Sequence, residues 1–264
     1  MIQNDEYSHY NGFTAILRQR ANHGLSAMLS YTWSHDLDIS DNSNGSGTTM
    51  DQYDIGRDYG NSNWDIRNRF VGTLTYDLPN IPHAKAIVRE GLSGWQVNAI
   101  VTIQSGEPFN VNLGFDQANV GLPRGNTQRP NWAHAPSAHC SLHDYIKNNG
   151  YNNGGTSCID ASAYSIPAVG TYGNTHRNTL SGPGYSNVNL SLFKDFGIWR
   201  NVRFQFRAET QNLFNHPSAG NPNSEIEQGF DPANPVATSN FGTVTNMSFF
   251  YTPRILQLAG KVIF

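Results

Sequence analysis

The residues with the clearest potential for chemistry lie in the stretch AHAPSAHCSLHDY, which contains His134, His139, Cys140 and His143. Imidazole nitrogen and thiolate sulfur are the ligands that zinc prefers in proteins. However, no strand or helix is predicted here that would fix four ligands in a tetrahedron, and the cysteine has a second possible role. The sequence therefore leaves open whether His134, His139 and His143 bind a metal, and we expect no cofactor.

The second possible role of Cys140 is a disulfide with Cys158, since these are the two cysteines of the chain and share one Gly/Asn-rich segment. A lone pair of this kind is typical of a disulfide that closes a loop in an oxidising compartment. Two unpaired thiols are the alternative. We expect the disulfide, because the strand pattern described below places this segment outside the cell.

Other catalytic patterns are weak. The chain contains no G-x-S-x-G elbow, no Walker A loop, no G-x-G-x-x-G and no H-E-x-x-H. The stretch SDNSNGSGTTMD resembles a calcium loop in part, but Ser40 and Asp51 stand where an aspartate and a glutamate are needed, so we expect a solvated polar loop. The spacing of Asp51, Asp54, Asp58 and Asp65 fixes no two of them together. We therefore expect a protein that is not an enzyme.

Candidate ligand-binding residues come from one alternating stretch, VRFQFRAETQ. Arg203, Arg207 and Glu209 occupy alternate positions and therefore share a face of a predicted strand, opposite the phenylalanines. There they can contact a ligand, contact another domain, or form ion pairs with one another.

The elements that position these residues are strands. Apolar and polar residues alternate with a period of two, and no segment of comparable length shows a period of 3.6, so the chain is predicted to be all-β. Seven strands are predicted, at residues 11–20, 25–35, 69–77, 95–104, 187–195, 202–214 and 254–264.

The connections between these strands alternate in length. Those at 21–24 and 196–201 are short and that at 78–94 is moderate, whereas those at 36–68, 106–186 and 215–253 are long. This is the layout of an outer-membrane β-barrel, with periplasmic turns and long extracellular loops. The alternative is a secreted β-sandwich, serving as an adhesin or carbohydrate-binding module, whose apolar faces meet in a core.

Composition excludes two further classes. The chain carries 17 lysines and arginines against 20 aspartates and glutamates, for a net charge of -3. It therefore has no basic excess to bind nucleic acid. The mean hydropathy is -0.50, and no apolar run approaches the roughly 20 residues of a membrane-spanning helix. A barrel remains compatible, because half of each strand faces a polar lumen.

Seven is an odd number, whereas bacterial single-chain barrels have even numbers of strands. The sequence also begins without the basic and apolar regions of a signal peptide. We expect residues 1–264 to be a C-terminal fragment of a larger barrel, without its signal peptide and N-terminal domains.

Several stretches resemble one family. They are YNGFTAILRQR, GLSAMLSYTWS, WDIRNRFVGTLTYDLP, GWQVNAIVTIQSGEPFNV, RNTLSGPGYSNVNLSLFKDF, FRAETQNLFNHP and PRILQLAGKVIF. In this order they resemble the barrel of TonB-dependent outer-membrane receptors, specifically the Oar-like group found in Acidobacteria and related bacteria.

The resemblance implies a 22-stranded barrel with an N-terminal plug and a regulatory-like domain. It also implies a Gram-negative outer-membrane location and transport energised by TonB, ExbB and ExbD. The family imports iron chelates, cobalamin, saccharides and peptides, so the solute stays unidentified. The terminal aromatic residue, Phe264, is by the same resemblance the signal read by the barrel assembly machinery.

Overall fold

The computed structural model describes residues 7–40, 49–82, 85, 91, 93–121, 128–140, 157–200, 202–235 and 240–264. Seven long strands dominate: β1 (Ser8–Asn22), β2 (Leu25–Asp38), β4 (Asn68–Asp77), β5 (Trp95–Gln104), β11 (Tyr185–Trp199), β12 (Val202–Gln211) and β14 (Ile255–Ile263). Each covers most of a strand predicted from the sequence. The prediction of an all-β chain built on one large antiparallel sheet is therefore confirmed.

Two-residue strands and two short 3-10 helices lie in the long connections. The strands are β3 (Gly60–Asn61), β6 (Pro108–Phe109), β7 (Asn112–Leu113), β8 (Asn131–Trp132), β9 (Tyr164–Ser165), β10 (Leu180–Ser181) and β13 (Glu225–Ile226). The 3-10 helices are Ile55–Asp58 and Ala161–Ala163. Within the described ranges, no helix is long and apolar enough to cross a membrane.

The seven long strands form a meander in which each strand pairs antiparallel with the next long strand in the chain. The order is β1-β2-β4-β5-β11-β12-β14, and β3 extends the pairing of β2. In the described part of the chain, β1 pairs only with β2, and β14 pairs only with β12. The sheet therefore presents two open edges.

The register places apolar residues on one face of the sheet. One continuous row of cross-strand partners consists of Leu25, Tyr76, Val97, Leu192, Ala208 and Leu258. The next row lies on the opposite face and consists of Ser26, Thr75, Asn98, Ser191, Glu209 and Gln257. Because side chains alternate along a strand, this pairing gives the whole sheet an apolar face and a polar face.

The apolar face is not covered. Leu74 in β4 is 38% exposed and Leu258 in β14 is 64% exposed, although both are large aliphatic residues. A sandwich would bury these side chains between two sheets. The structure therefore does not support the β-sandwich alternative.

The connection between β1 and β2 is as tight as the sequence predicts. It consists of His23 and Gly24, whose φ angles of 50° and 81° are both positive. Two successive positive φ values are typical of the type I′ turn, whose twist matches that of a hairpin. A side chain at Gly24 would also meet the Asp77 carbonyl oxygen, 2.5 Å from the position of its Cβ.

The strand predicted at 202–214 ends earlier, at Gln211. The next residue, Asn212, has a φ of 48° and is buried. Its side-chain nitrogen Nδ2 donates hydrogen bonds to the carbonyl oxygens of His216 (3.0 Å) and Thr252 (2.9 Å). Its side-chain oxygen accepts a bond from the His216 amide. These bonds turn the chain out of the sheet, which alternation alone does not reveal.

The long connections fold into a structure of their own, here called the cap, comprising the described residues of 39–67, 105–184 and 212–254. Its apolar core is formed by Phe109, Val111, Leu113, Ile159, Ala161, Ala163, Tyr164, Leu180, Ile226 and Phe241. Short pairings join distant parts of the cap, including β7 with β13 and β6 with β10. The sequence analysis did not predict this core. The polar loop expected at residues 40–51 ends in a buried Met50, and residues 41–48 lie outside the described residues.

We expect Ala99→Arg to destabilise the protein when it folds into lipid vesicles, because Ala99 lies on the apolar face between Leu74 and Leu190. An arginine facing lipid near the midplane costs about 2 to 4 kcal/mol. The matched control is Thr102→Arg on the polar face. It is a cleaner control than Asn98→Arg, because Asn98 accepts a hydrogen bond from Thr75 (2.8 Å). Equal losses in the free energy of unfolding, measured by urea titration, would contradict the assignment of faces.

Candidate functional site

The charged residues expected to serve a ligand lie on the polar face of β12, but they do not pair with one another. Arg203 forms an ion pair with Asp195 of β11, with 3.4 Å between Nη1 and Oδ2. Gln205 donates a hydrogen bond of 2.8 Å to the other oxygen of the same carboxylate. The arginine side chain is 54% exposed, so this pair contributes little stability.

Arg207 is held more firmly. Its Nε donates a hydrogen bond of 2.6 Å to Oε1 of Gln205. Its guanidinium carbon lies 5.0 Å from the centre of the Phe193 ring in β11, within cation–π distance. The two contacts fix the guanidinium along the polar face and leave further donors for a solute.

Glu209 lies in the polar row between Ser191 and Gln257. Among the residues that the structure describes, none forms an ion pair with its carboxylate. The polar face of β12 therefore combines two positioned guanidinium groups with one carboxylate, at alternate positions of one strand. This pattern suits a surface that binds a polar or charged solute, and nothing in it resembles a catalytic pair.

Neutral side chains continue the polar face across the neighbouring strands. Thr75 donates a hydrogen bond to Asn98, and Gln96 donates one to Asp77, each 2.8 Å long. These bonds cross between β4 and β5. The polar face is thus a network of amides, hydroxyls and carboxylates, as expected of a wall that contacts water rather than lipid.

Above the sheet, a buried ion pair joins the first and second segments of the cap. Nη1 of Arg129 lies 2.6 Å from Oδ1 of Asp58, and the two side chains are only 1% and 4% exposed. The guanidinium also donates to the carbonyl oxygens of Thr175 and Arg57. The second oxygen of Asp58 accepts the amide of Met50. With these partners, the charges are satisfied inside the cap.

A second buried arginine, Arg177, ties the cap to the sheet. It forms an ion pair with Asp38, the last residue of β2. It also donates to the carbonyl oxygens of Ile39 (2.6 Å) and Asn61 (3.2 Å). The neighbouring Asn178 donates to the same Asn61 oxygen. The second segment of the cap is therefore fixed to the end of a long strand.

The two cysteines belong to the cap, where both pack against its apolar core. Cys140 and Cys158 form a disulfide, with their Cα atoms 4.9 Å apart. His134 contacts the Asp160 carboxylate at 2.9 Å, and hydrogen bonds from Ser162 and His134 lower the pKa of Asp160. His143 lies outside the described residues. Among the described residues, no group of three or more His, Cys, Asp and Glu side chains could hold a metal ion.

The buried pairs of the cap were missed by the sequence analysis. Asp58 and Arg129 are 71 residues apart, so no local spacing connects them. Asp58 appeared there only as one of four carboxylates whose partners could not be assigned. The remaining signal is that Arg129 stands alone in an uncharged stretch, which does not identify its partner.

Comparison with known families gives one match. A family model described as an outer membrane beta barrel domain matches residues 1–257. No curated protein and no solved structure matches the chain. The matched range includes six of the seven long strands and the first residues of β14.

We expect Arg129→Met to loosen the cap, because it leaves the Asp58 carboxylate buried without its partner. Breaking a buried pair in this way costs about 3 to 5 kcal/mol. Hydrogen exchange of cap peptides should rise sharply while that of β4 and β5 stays slow. The double variant Asp58→Asn/Arg129→Met should recover part of the protection.

The matched control is Arg57→Met. Arg57 forms ion pairs with Asp51 and Asp54, but its side chain is 41% exposed. Exposed pairs contribute about 1 kcal/mol or less. Equal exchange in the Arg57 and Arg129 variants would show that the buried pair does not stabilise the cap.

Proposed function

The chain belongs to the outer membrane beta barrel domain family and lies in the outer membrane of a Gram-negative bacterium, and from this premise we propose that it is part of a TonB-dependent receptor that imports a bulky solute. The observation that carries the proposal is that a sheet with one apolar and one polar face, the wall of the barrel, is joined to a folded cap. A barrel that served only as a membrane anchor would need no packed structure in its loops. Iron chelates, saccharides and peptides are the solute classes that the sequence resemblance suggests.

The two faces of the sheet have different partners in this proposal. The apolar face contacts membrane lipid, as the family membership implies. The polar face lines the lumen, where Arg203, Arg207 and Glu209 contact either the passing solute or a plug. The chain supplies binding surfaces and a passage, and it performs no catalysis.

Strand direction supports a larger barrel. With seven strands in antiparallel order, β1 and β14 run in the same direction. Direct pairing of these two edges would be parallel, whereas all neighbouring long strands here are antiparallel. Antiparallel closure therefore needs an odd number of additional strands. This supports the interpretation of residues 1–264 as one portion of a larger barrel, as in the 22-stranded receptors that the sequence resembles.

The test of TonB dependence uses the full-length protein in its native host. Formaldehyde crosslinking followed by immunoprecipitation of the receptor should capture TonB. A porin from the same membrane serves as the control, because it needs no energy coupling. If the receptor captured no more TonB than the porin did, the transport proposal would be wrong, while the barrel assignment would stand.

The end of β14 is proposed to guide assembly. Phe264 is 96% exposed and has the same parity as Leu256, Leu258 and Val262 on the apolar face. An aromatic residue there suits the membrane interface. We expect Phe264→Ala to lower the outer-membrane level of the full-length protein several-fold while synthesis is unchanged, because the assembly machinery recognises this residue.

The matched control for assembly is Phe214→Ala, which removes an exposed phenylalanine of the cap. It should leave the outer-membrane level unchanged. Quantitative blotting of membrane fractions measures both variants. A wild-type level for Phe264→Ala would refute the assembly role.

A further inference from the structure

A cavity of about 200 Å³ lies where β5 and β11 enter the cap. Gln104 and Tyr185, which are cross-strand partners at the ends of these strands, form its floor. The second and third cap segments supply the remaining walls, including Glu107, Asn221 and residues 246–250. The cavity is separate from the row of charged residues on β12.

Glu107 gives the cavity its charge. Among the residues that the structure describes, it is the one lining residue with a carboxylate, and no lysine, arginine or histidine lines the cavity. Burial raises the pKa of Glu107 above its ordinary value. Within the described ranges, no side chain forms an ion pair or hydrogen bond with this carboxylate. A bound cation would favour the charged form of this partly desolvated carboxylate.

Aromatic rings provide the second feature of a cation site. The rings of Tyr185 and Phe250 lie 6.2 Å apart with an angle of 62° between their planes. Phe249 adjoins Phe250 at 5.8 Å and 80° and is 95% exposed. Rings arranged at such angles can present both faces and edges to a bound molecule. The face of an aromatic ring attracts cations, most strongly where water is excluded.

The other polar groups of the cavity are uncharged. Ser105, Asn221, Asn246 and Ser248 offer hydroxyl and amide groups that can bind the neutral part of a ligand. An anionic ligand would find no positive side chain to balance its charge and would be repelled by Glu107. Calcium and magnesium sites are usually built around carboxylates, and among the described lining side chains only Glu107 supplies one.

We propose that this cavity binds an organic cation carrying an ammonium group, with Glu107 as its countercharge and the rings of Tyr185 and Phe250 beside its alkyl groups. The inference deepens the proposed function and rests on it in one respect, namely that the cap is the surface that meets the solute first. It assigns a chemical class to part of that solute. A neutral saccharide would leave Glu107 uncompensated and is therefore the less suitable ligand.

The experiment compares two probes of nearly the same shape on the purified full-length protein in detergent. Choline carries a quaternary nitrogen, and 3,3-dimethylbutan-1-ol has carbon in its place. Isothermal titration calorimetry should detect choline binding and no comparable binding of the neutral alcohol. Equal affinities for the two probes, or no binding of choline, would overturn the proposal.

Two variants test the residues. Glu107→Gln should weaken choline binding about tenfold, because it removes the negative charge that balances the quaternary nitrogen. Phe250→Leu keeps an apolar side chain but removes the ring, and it should also weaken choline binding. Unchanged affinity in both variants would overturn the assignment of the site. Should Glu107→Gln fail to fold, the Phe250 variant and the probe comparison still decide the question.

The control variant is Asp231→Asn. It makes the same change of charge in the cap at an exposed residue that does not line the cavity, and its side chain accepts one backbone hydrogen bond that asparagine can also accept. Its choline affinity should equal that of the wild type. Failure of this inference and failure of the transport proposal are distinguishable. Choline binding without TonB capture rejects transport alone, and TonB capture without choline binding rejects the cation site alone.

Discussion

Hydrogen bonding between neighbouring strands is the constraint on which the rest of this structure depends. Hydrocarbon offers no water to bind backbone groups, so a membrane-spanning strand must satisfy them with its neighbours. The same pairing decides which face each side chain takes, because side chains alternate along a strand. A one-residue shift of β5 would move Val97 and Val101 to the polar face and expose Asn98 to lipid. Backbone pairing and the apolar pattern therefore specify one register together.

Lys194 shows how a charge is accommodated on the apolar face. It shares this face with Leu192, yet it is only 4% exposed. Its ammonium donates to the Ser93 carbonyl oxygen over 2.7 Å and lies 5.5 and 5.2 Å from the rings of Trp95 and Phe196. The carbonyl oxygen and the two aromatic rings therefore stabilise the charge of a lysine that lies on the apolar face.

The sequence predicts the strands of the wall well, because apolar and polar residues must alternate along each of them. The bounds of β5 are predicted to the residue, since alternation begins at Trp95 and stops at Gln104. The cap is predicted poorly because its contacts are distant in sequence and aperiodic, as with Asp58 and Arg129. The sequence also does not show what fills the apolar face at Gly260, a position without a side chain. In the structure, the Phe204 ring lies 2.8 Å from the position of a Cβ at Gly260, so a neighbouring strand covers it.

Hydrogen bonds and an ion pair near strand ends connect the cap to the wall, whereas an apolar core holds the cap itself together. This separation has a consequence for ligand recognition. Asp38 at the end of β2 pairs with Arg177, and Asn189 of β11 accepts the amide of Asn212 over 3.0 Å. These bonds fix the position of the cap relative to the polar face, while its own apolar core keeps it folded. Phe249 lines the cavity and is 95% exposed, so it belongs to neither set. A substitution there can therefore alter the preference for the proposed ligand without disturbing the register of the sheet or the packing of the cap.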